Sequence, residues 1–555
     1  PRWMLDKYPD MLAVDEQGRK RKFGSRRHYC FSHKGYKKEC ARIANLLGQR
    51  YGTNPYVCAF QTDNEYGCHD TTRSYSKAAL LEFRNWLAQR YRTIEALNQA
   101  WGNIFWSMQY NSFDQIELPN LTVTEANPAH QLAFKRFSSD QVVAFNKVQV
   151  DQIRKYSNAP VLHNYMGRIV DFDHYKVGAD MDIAGWDSYP IGFLSDRLEA
   201  NEAHKKRFLR QGDPDMQAFH HDLYRAVGRG RLWVMEQQPG PVNWAPYNPA
   251  PLGGMVRLWS WEAFAHGAEN VCYFRWRQAP FAQEQMHAGL LRSDGVAAPA
   301  LAEIAEVARE IKTLPKAETG RAEVALIFDY QSCWAWQAEP QGADFDMFAL
   351  AFSAYRALRQ AGLSIDIVPP DIDDLSAYRL VLAPGLMAIS EELKQGLARF
   401  KGLALIGPRS GLKTDEFSIA EPLGPNLDGL ETKVTMVQSL PPGSRIELKD
   451  GGGFERWFEH LETGDEIVWQ TKSGQPGLVR AKNLYYLAGW PDEETFKRLV
   501  LQLCSKMGIA TLDLPAALRV RDTATQRFYF NYASDPVRFE NMIIPAAGVI
   551  WREIG

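Results

Sequence analysis

Short apolar runs alternate with long amphipathic stretches from Pro1 to about Pro315. The apolar runs Tyr56–Gln61 (YVCAFQ), Pro160–Tyr165 (PVLHNY), Met181–Trp186 (MDIAGW), Leu232–Glu236 (LWVME) and Asn270–Arg275 (NVCYFR) predict buried strands. The stretches Tyr36–Tyr51, Ser76–Tyr91, Phe137–Tyr156 and Pro251–His266 carry the helical period. Strands alternating with helices predict βαβ units and a parallel sheet. Each predicted strand runs into a polar cluster: TDNEYG, NYMG, DSYP, EQQPG and RWRQ. In a (β/α)₈ barrel such clusters lie at the strand C-terminal ends, the face that carries active sites.

The pattern then breaks. Lys316–Arg321 (KAETGR) reads as a linker, and Glu323–Phe328 (EVALIF) as a new strand. A helix carrying Phe348, Leu350, Phe352, Tyr355, Leu358 and Leu363 follows, then the strands Ser364–Val368, Leu380–Ala383 and Leu403–Ile406, with a helix at Glu391–Phe400. This predicts a second, doubly wound α/β domain reaching about Gly508. From Thr511 the pattern turns to short strands, at Ala517–Arg521, Arg527–Asn531 and Val549–Trp551, which predict a small all-β domain. The expected division is 1–315, 321–508 and 511–555.

Composition narrows the function classes. Lys+Arg is 64 and Asp+Glu 66, a formal net charge of −2 in 555 residues. No basic field exists to draw nucleic acid or an anionic membrane, and no apolar run is long enough for a membrane span. The seven cysteines are scattered and odd in number, which is no disulfide framework and points to a reducing, cytoplasmic setting. Aromatic residues reach 12%, with 16 Trp, suited to the apolar faces of sugar rings and equally to a large core.

Two glutamates stand out. Glu65, in Thr62-Asp63-Asn64-Glu65-Tyr66-Gly67, directly follows a predicted buried strand, and Glu236 closes another, 171 residues later. A buried carboxyl is desolvated, which raises its pKa toward the range a general acid needs. Asn64 is placed to meet a sugar hydroxyl. Two carboxylates at separate strand ends are the apparatus of glycoside hydrolysis, one protonating the leaving oxygen and one attacking the anomeric carbon. Glu284 and His287 are spaced to share one helical face, as a sugar clamp or as a plain helix pair; a zinc reading lacks a third ligand. Trp244, Phe274 and Trp276 are candidates for an aromatic floor under a pyranose, or for loop packing. Tyr189, at another strand end, can hydrogen-bond a nucleophile and hold it ionised.

Together these residues resemble a glycoside hydrolase family 42 β-galactosidase. TDNEYG and MEQQPGPVNW are the most specific segments, supported by GSRRHYCFS and RWRQAPFAQEQMHAGLL. The resemblance implies a TIM barrel, a class I glutamine amidotransferase-like domain that supports a homotrimer, and a β-rich C-terminal domain. It implies Glu65 as acid/base, Glu236 as nucleophile, and Arg26, Asn64, Tyr189, Trp244, Phe274, Glu284 and His287 as substrate-binding residues, with Arg27 competing for the role of Arg26. The activity implied is retaining, exo-acting hydrolysis of terminal β-D-galactosyl residues, without a cofactor. Some members hold a structural zinc through a cysteine in the RRHYC segment and a later cysteine cluster. Here Cys30 is present but the cluster is replaced by Cys68-His-Asp-Thr-Thr-Arg, so no zinc is expected.

The chain opens at Pro1, without Met or signal peptide. Set against the resemblance, the first three βα strands are expected to be missing. A barrel lacking them has open edges, so activity is expected of a longer product rather than of this span alone. Competing expectations are another exo-glycosidase such as an α-L-arabinopyranosidase, and a non-catalytic sugar-binding fragment. Amidotransferase chemistry is disfavoured: Pro384-Gly385-Leu386-Met387 follows the strand LVLA with no cysteine, and Cys333 is read as lying in a loop.

Overall fold

A computed structural model describes residues 1–314, 319–320 and 322–554. The linker expected at Lys316–Arg321 therefore lies, apart from Thr319 and Gly320, outside the described residues. The chain forms two compact units. The first comprises Pro1–Asp182, Tyr330–Pro340 and Gly411–Pro422, and the second comprises Ile183–Asp329, Gln341–Ser410 and Leu423–Gly555.

In the first unit, strand β1 (Phe60–Gln61) pairs in parallel with β2 (Val161–Met166). All six residues of β2 are buried. β1 is shorter than the apolar run YVCAFQ suggests. The Asn54 side chain accepts the Tyr56 N–H in a turn, and Tyr56 is left almost fully exposed. Three long helices cover this unit. Lys34–Tyr51 is capped by the His33 ring, Lys77–Tyr91 by Ser76, and Pro128–Arg154 by Asn127 with Pro128 in its first turn, each cap satisfying an N–H that the helix leaves open. Phe83, Leu87, Leu97, Trp101, Phe134 and Phe137 form its core.

One expectation fails in this unit. Cys333 lies not in a loop but in a helix, Tyr330–Ala338, where it is buried. Trp334 and Trp336 are buried as well, and the Trp334 indole donates to the Val170 carbonyl at 2.5 Å. A helix buried on most of its faces shows no amphipathic stripe, which is why its pattern reads as irregular.

The second unit contains strands β3 (Ile183–Ser188), β4 (Leu232–Gln237) and β5 (Ala268–Tyr273), paired in parallel in the order β3-β4-β5. The fold class is thus that of a parallel (β/α) barrel domain, with two of its strands described in the first unit and three in the second. After it come β6 (Val324–Ile327), β7 (Ile365–Val368), β8 (Leu380–Ala383) and β9 (Leu403–Ile406). These join β13 (Glu466–Gln470), β14 (Pro476–Ala481) and β15 (Leu484–Leu487) in one seven-stranded sheet of order β13-β14-β15-β9-β8-β6-β7. A smaller antiparallel sheet is built from β10 (Lys433–Ser439), β11 (Ile446–Glu447), β12 (Gly453–Glu462) and β16 (Gly489–Pro491). The sequence pattern does not show β10–β16. β10 is exposed at four of its seven positions, so it lacks a clean inward face to read.

The C-terminal region is all-β: β17 (Leu518–Asp522), β18 (Gln526–Asn531) and β21 (Gly548–Glu553) form an antiparallel sheet, and β19 (Val537–Phe539) and β20 (Met542–Ile544) a hairpin. Leu518, Val520, Tyr529, Met542 and Ile544 share its core. No described helix is long and apolar enough to cross a membrane.

Candidate active site

In the first unit the turn Thr62–Gly67 leaves β1 and is tied to β2 by two neighbouring side chains. The His163 ring donates from Nδ1 to the Thr62 carbonyl at 2.7 Å and accepts the Tyr66 N–H at Nε2, at 3.0 Å. Both bonds require the neutral ring, and burial pushes the His163 imidazole down to about 3. The Glu65 N–H reaches the Asn164 carbonyl at 3.2 Å, while the Asn164 amide donates to Asn64 Oδ1 at 2.9 Å. So held, Asp63 and Glu65 both adopt left-handed backbone, at φ +48° and +46°. Such positions cost on the order of 1–3 kcal/mol and cluster at functional sites.

Glu65 is 3% exposed. Its Oε2 receives Arg27 Nη2 at 2.5 Å, Asn64 Nδ2 at 3.1 Å and Arg26 Nη2 at 3.2 Å. Glu65 is buried, as expected, and two guanidinium groups meet its carboxylate. Arg27 is buried and Arg26 half-exposed. Burial opposes the charge on Arg27, yet Glu65 and the hydrogen bond to it hold that guanidinium above its ordinary value.

In the second unit Glu236 sits one residue from the end of β4. Its Oε2 accepts the hydroxyl hydrogen of Tyr189, a buried residue that directly follows β3. The Tyr189 ring meets Trp244 edge-on at 5.7 Å and His287 at 5.6 Å, and Phe274 meets His287 at 5.0 Å. These aromatic groups thus gather around Tyr189 and Glu236. Trp276, by contrast, is 64% exposed and does not share that packing. Trp244 lies so close to Gly192 that a Cβ there would stand 2.6 Å from its ring.

His287 is buried, and burial pushes its imidazole down to about 4 against the nearby Phe274 carbonyl. Its Nδ1 meets Asn243 Oδ1 at 3.2 Å, and the Asn243 amide donates to the Gln283 carbonyl, which fixes the amide's orientation. Nδ1 is therefore the donor. Nε2 is left as a buried acceptor without a hydrogen-bond partner among the described residues, a position suited to a hydroxyl donor.

Glu284 and His287 do not share a helical face. Residues 281–287 form turns, closed by a bond from the His287 N–H to the Glu284 carbonyl at 3.0 Å. Glu284 pairs instead with Arg275 at 3.6 Å and is half-exposed.

Sequence reasoning passed over His163, Asn164, Asn243 and Gly192, which orient the groups it singled out. His163 and Asn164 lie in the PVLHNY run and Asn243 in the PVNW loop, so a rule assigning every polar residue at a strand end or in the loop after it would have found them. Gly192 carries no such signal.

Comparison with known proteins now decides the lineage. A β-galactosidase family profile of glycoside hydrolase family 42 matches residues 1–314, and a profile described as the β-galactosidase trimerisation domain matches residues 322–510. The chain belongs to glycoside hydrolase family 42. Among family 42 relatives, a Thermus thermophilus β-galactosidase is 49% identical over 544 residues, covering 97% of this chain and 84% of the relative. A Halorubrum lacusprofundi β-galactosidase, Bga, is 39% identical, covering 97% and 81%. The crystal structure of a β-galactosidase from the psychrophilic Marinomonas ef1 superposes with a TM-score of 0.97 at 48% identity, covering 99% of this chain and 88% of that one. The chain accordingly has the fold class of a TIM barrel followed by a trimerisation domain and a C-terminal all-β region.

Proposed function

We propose that the protein is a retaining exo-β-galactosidase that releases terminal β-D-galactosyl residues from oligosaccharides by double displacement. The observation that carries the reading is the Tyr189–Glu236 hydrogen bond at a barrel strand end, in a chain of family 42. Glu236 attacks the anomeric carbon as a carboxylate, which the Tyr189 hydroxyl stabilises. Glu65 gives its proton to the aglycone oxygen, and a galactosyl ester forms on Glu236. Glu65 then takes a proton from water, which displaces Glu236 and leaves galactose with its anomeric configuration retained. Arg26, Asn64, Trp244, Phe274, Glu284 and His287 bind the sugar, with His287 Nε2 accepting from one hydroxyl and Trp244 facing the ring. No metal or cofactor takes part in these steps. We also infer three domains at 1–315, 321–508 and 511–555, a homotrimer, in keeping with the trimerisation profile, and a cytoplasmic location, in keeping with cysteines that form no disulfide.

The test is covalent trapping. A 2-deoxy-2-fluoro-β-galactosyl donor slows hydrolysis of the ester, so wild-type protein should gain one sugar, located on Glu236 by peptide mass. Glu236→Gln should neither label nor hydrolyse aryl β-galactosides. Glu65→Ala should still label with an activated donor, and azide should restore turnover as β-galactosyl azide. Label on another residue, or activity surviving in Glu236→Gln, refutes the assignment.

A further inference from the structure

Directly before Tyr189, the residue Ser188 is fully buried and gripped from two sides. Its carbonyl accepts the Gln238 N–H at 2.9 Å and the Gln237 amide at 3.4 Å, both from the strand end that carries Glu236. Its hydroxyl donates to Gln217 Oε1 at 2.8 Å. Gln217 belongs to the helix Met216–Val227, and its amide donates to the Trp259 carbonyl at 3.2 Å and to Glu262 Oε2 at 3.0 Å. A hydroxyl on one side and a carboxylate on the other allow this amide one orientation only.

Glu262 is itself fully buried and takes two further donors, each from a different part of the second unit. Arg359, from the helix Met347–Gln360, reaches Oε1 at 2.9 Å, and the Tyr532 hydroxyl, just after β18, reaches Oε2 at 2.5 Å. Arg359 also donates to the Val520 carbonyl of β17 at 2.8 Å. The chain of bonds Tyr532–Glu262–Gln217–Ser188 thus joins the C-terminal sheet to the backbone that presents Tyr189 to Glu236.

The β3–β4 register is irregular at this place. Trp186 pairs with Val234 and Asp187 with Glu236, so Met235 is extra on β4. A bulge re-aims the side chains beside it and needs outside bonds to hold its position. The bonds to Ser188 supply them one residue after the shift.

We propose that Gln217 and Tyr532 are positioning residues for the nucleophile, acting through Ser188 on the Tyr189–Glu236 pair, so that the C-terminal β-domain is a working part of the active site. The inference rests on the glycosidase reading above. A misplacement of about 1 Å can cost on the order of 100-fold in rate. Loss of one tether, with the ladder bonds kept, is therefore expected to slow attack by about tenfold.

The experiment measures the rate at which the 2-deoxy-2-fluoro-β-galactosyl donor labels the full chain, together with kcat, KM and the thermal midpoint. Ser188→Ala, Gln217→Leu and Tyr532→Phe should each slow labelling and lower kcat about tenfold, with KM changed little. Ser188→Ala combined with Tyr532→Phe should be no slower than Ser188→Ala alone, because both cut one chain. Ser188→Ala removes a single oxygen, so it keeps the test alive if Tyr532→Phe folds poorly. Labelling at the wild-type rate in all three, or losses that multiply in the double variant, overturns the proposal. Wild-type protein that does not label on Glu236 overturns the glycosidase reading instead.

Discussion

Glu459 offers a perturbation with a sign that can be worked through. It lies on β12, fully buried, and its carboxylate accepts the Arg409 N–H at 2.8 Å, the Trp457 indole at 3.0 Å and the Tyr486 hydroxyl at 2.8 Å. Burial raises its carboxyl from an ordinary 4.5 to about 7, although all three donors and the Arg409 charge pull the other way. Unfolded, the group loses its proton near 4.5; folded, it keeps the proton until about 7. Between those values the native state binds more protons, so its contribution to stability is complete below 4.5 and declines as pH rises to 7. At about 1.4 kcal/mol per pKa unit, the decline amounts to about 3 kcal/mol. Glu459→Gln removes the titration. Its oxygen can take the two N–H donors and its amide can donate to Tyr486, at the expense of one hydroxyl bond worth about 1 kcal/mol. The variant should then exceed wild type by about 2 kcal/mol at pH 8 and by about 1 kcal/mol at pH 6. Thermal midpoints of both proteins at the two pH values measure this. An advantage that is equal at both, or larger at pH 6, refutes the reasoning.

Three further outcomes are expected. Gly192→Ala places a methyl 2.6 Å from the Trp244 ring and must displace it, so KM for aryl β-galactosides should rise about tenfold, the equivalent of 1.4 kcal/mol, with kcat little changed; an unaltered KM removes Trp244 from the sugar site. Tyr189→Phe deletes a hydrogen bond to a charged oxygen, worth about 1.5–3 kcal/mol, so kcat/KM should fall by roughly 10- to 150-fold; a value within twofold of wild type contradicts the role given to that phenol. Light scattering on the purified protein should return the mass of three chains, and a monomer mass contradicts the trimer.

Much of the barrel was legible from pattern alone, because a strand buried on both faces must be a continuous apolar run and must end where the polar face begins. That logic located β2, β3, β4 and β5 to within two or three residues, and it set Glu65, Tyr189 and Glu236 at or just beyond strand ends. It failed where burial erases periodicity, as in the helix Tyr330–Ala338, and where exposure blurs it, as in β10. It also misjudged local geometry. The Glu284-x-x-His287 spacing suits a helix, yet the chain turns there, sending one side chain to Arg275 and burying the other.

Residue identity along the chain therefore determined which elements form, which carboxylates end strands and which family the protein belongs to. Only the tertiary structure decided what each of those groups meets. That Arg27 lies buried against Glu65, that His163 is neutral and ties the turn, and that Ser188 is linked through Gln217 and Glu262 to Tyr532 are relations between residues far apart in sequence. Periodicity reports which face of an element is buried. It carries no record of the donor or acceptor waiting on the other side, because that partner is brought there by the path of the whole chain.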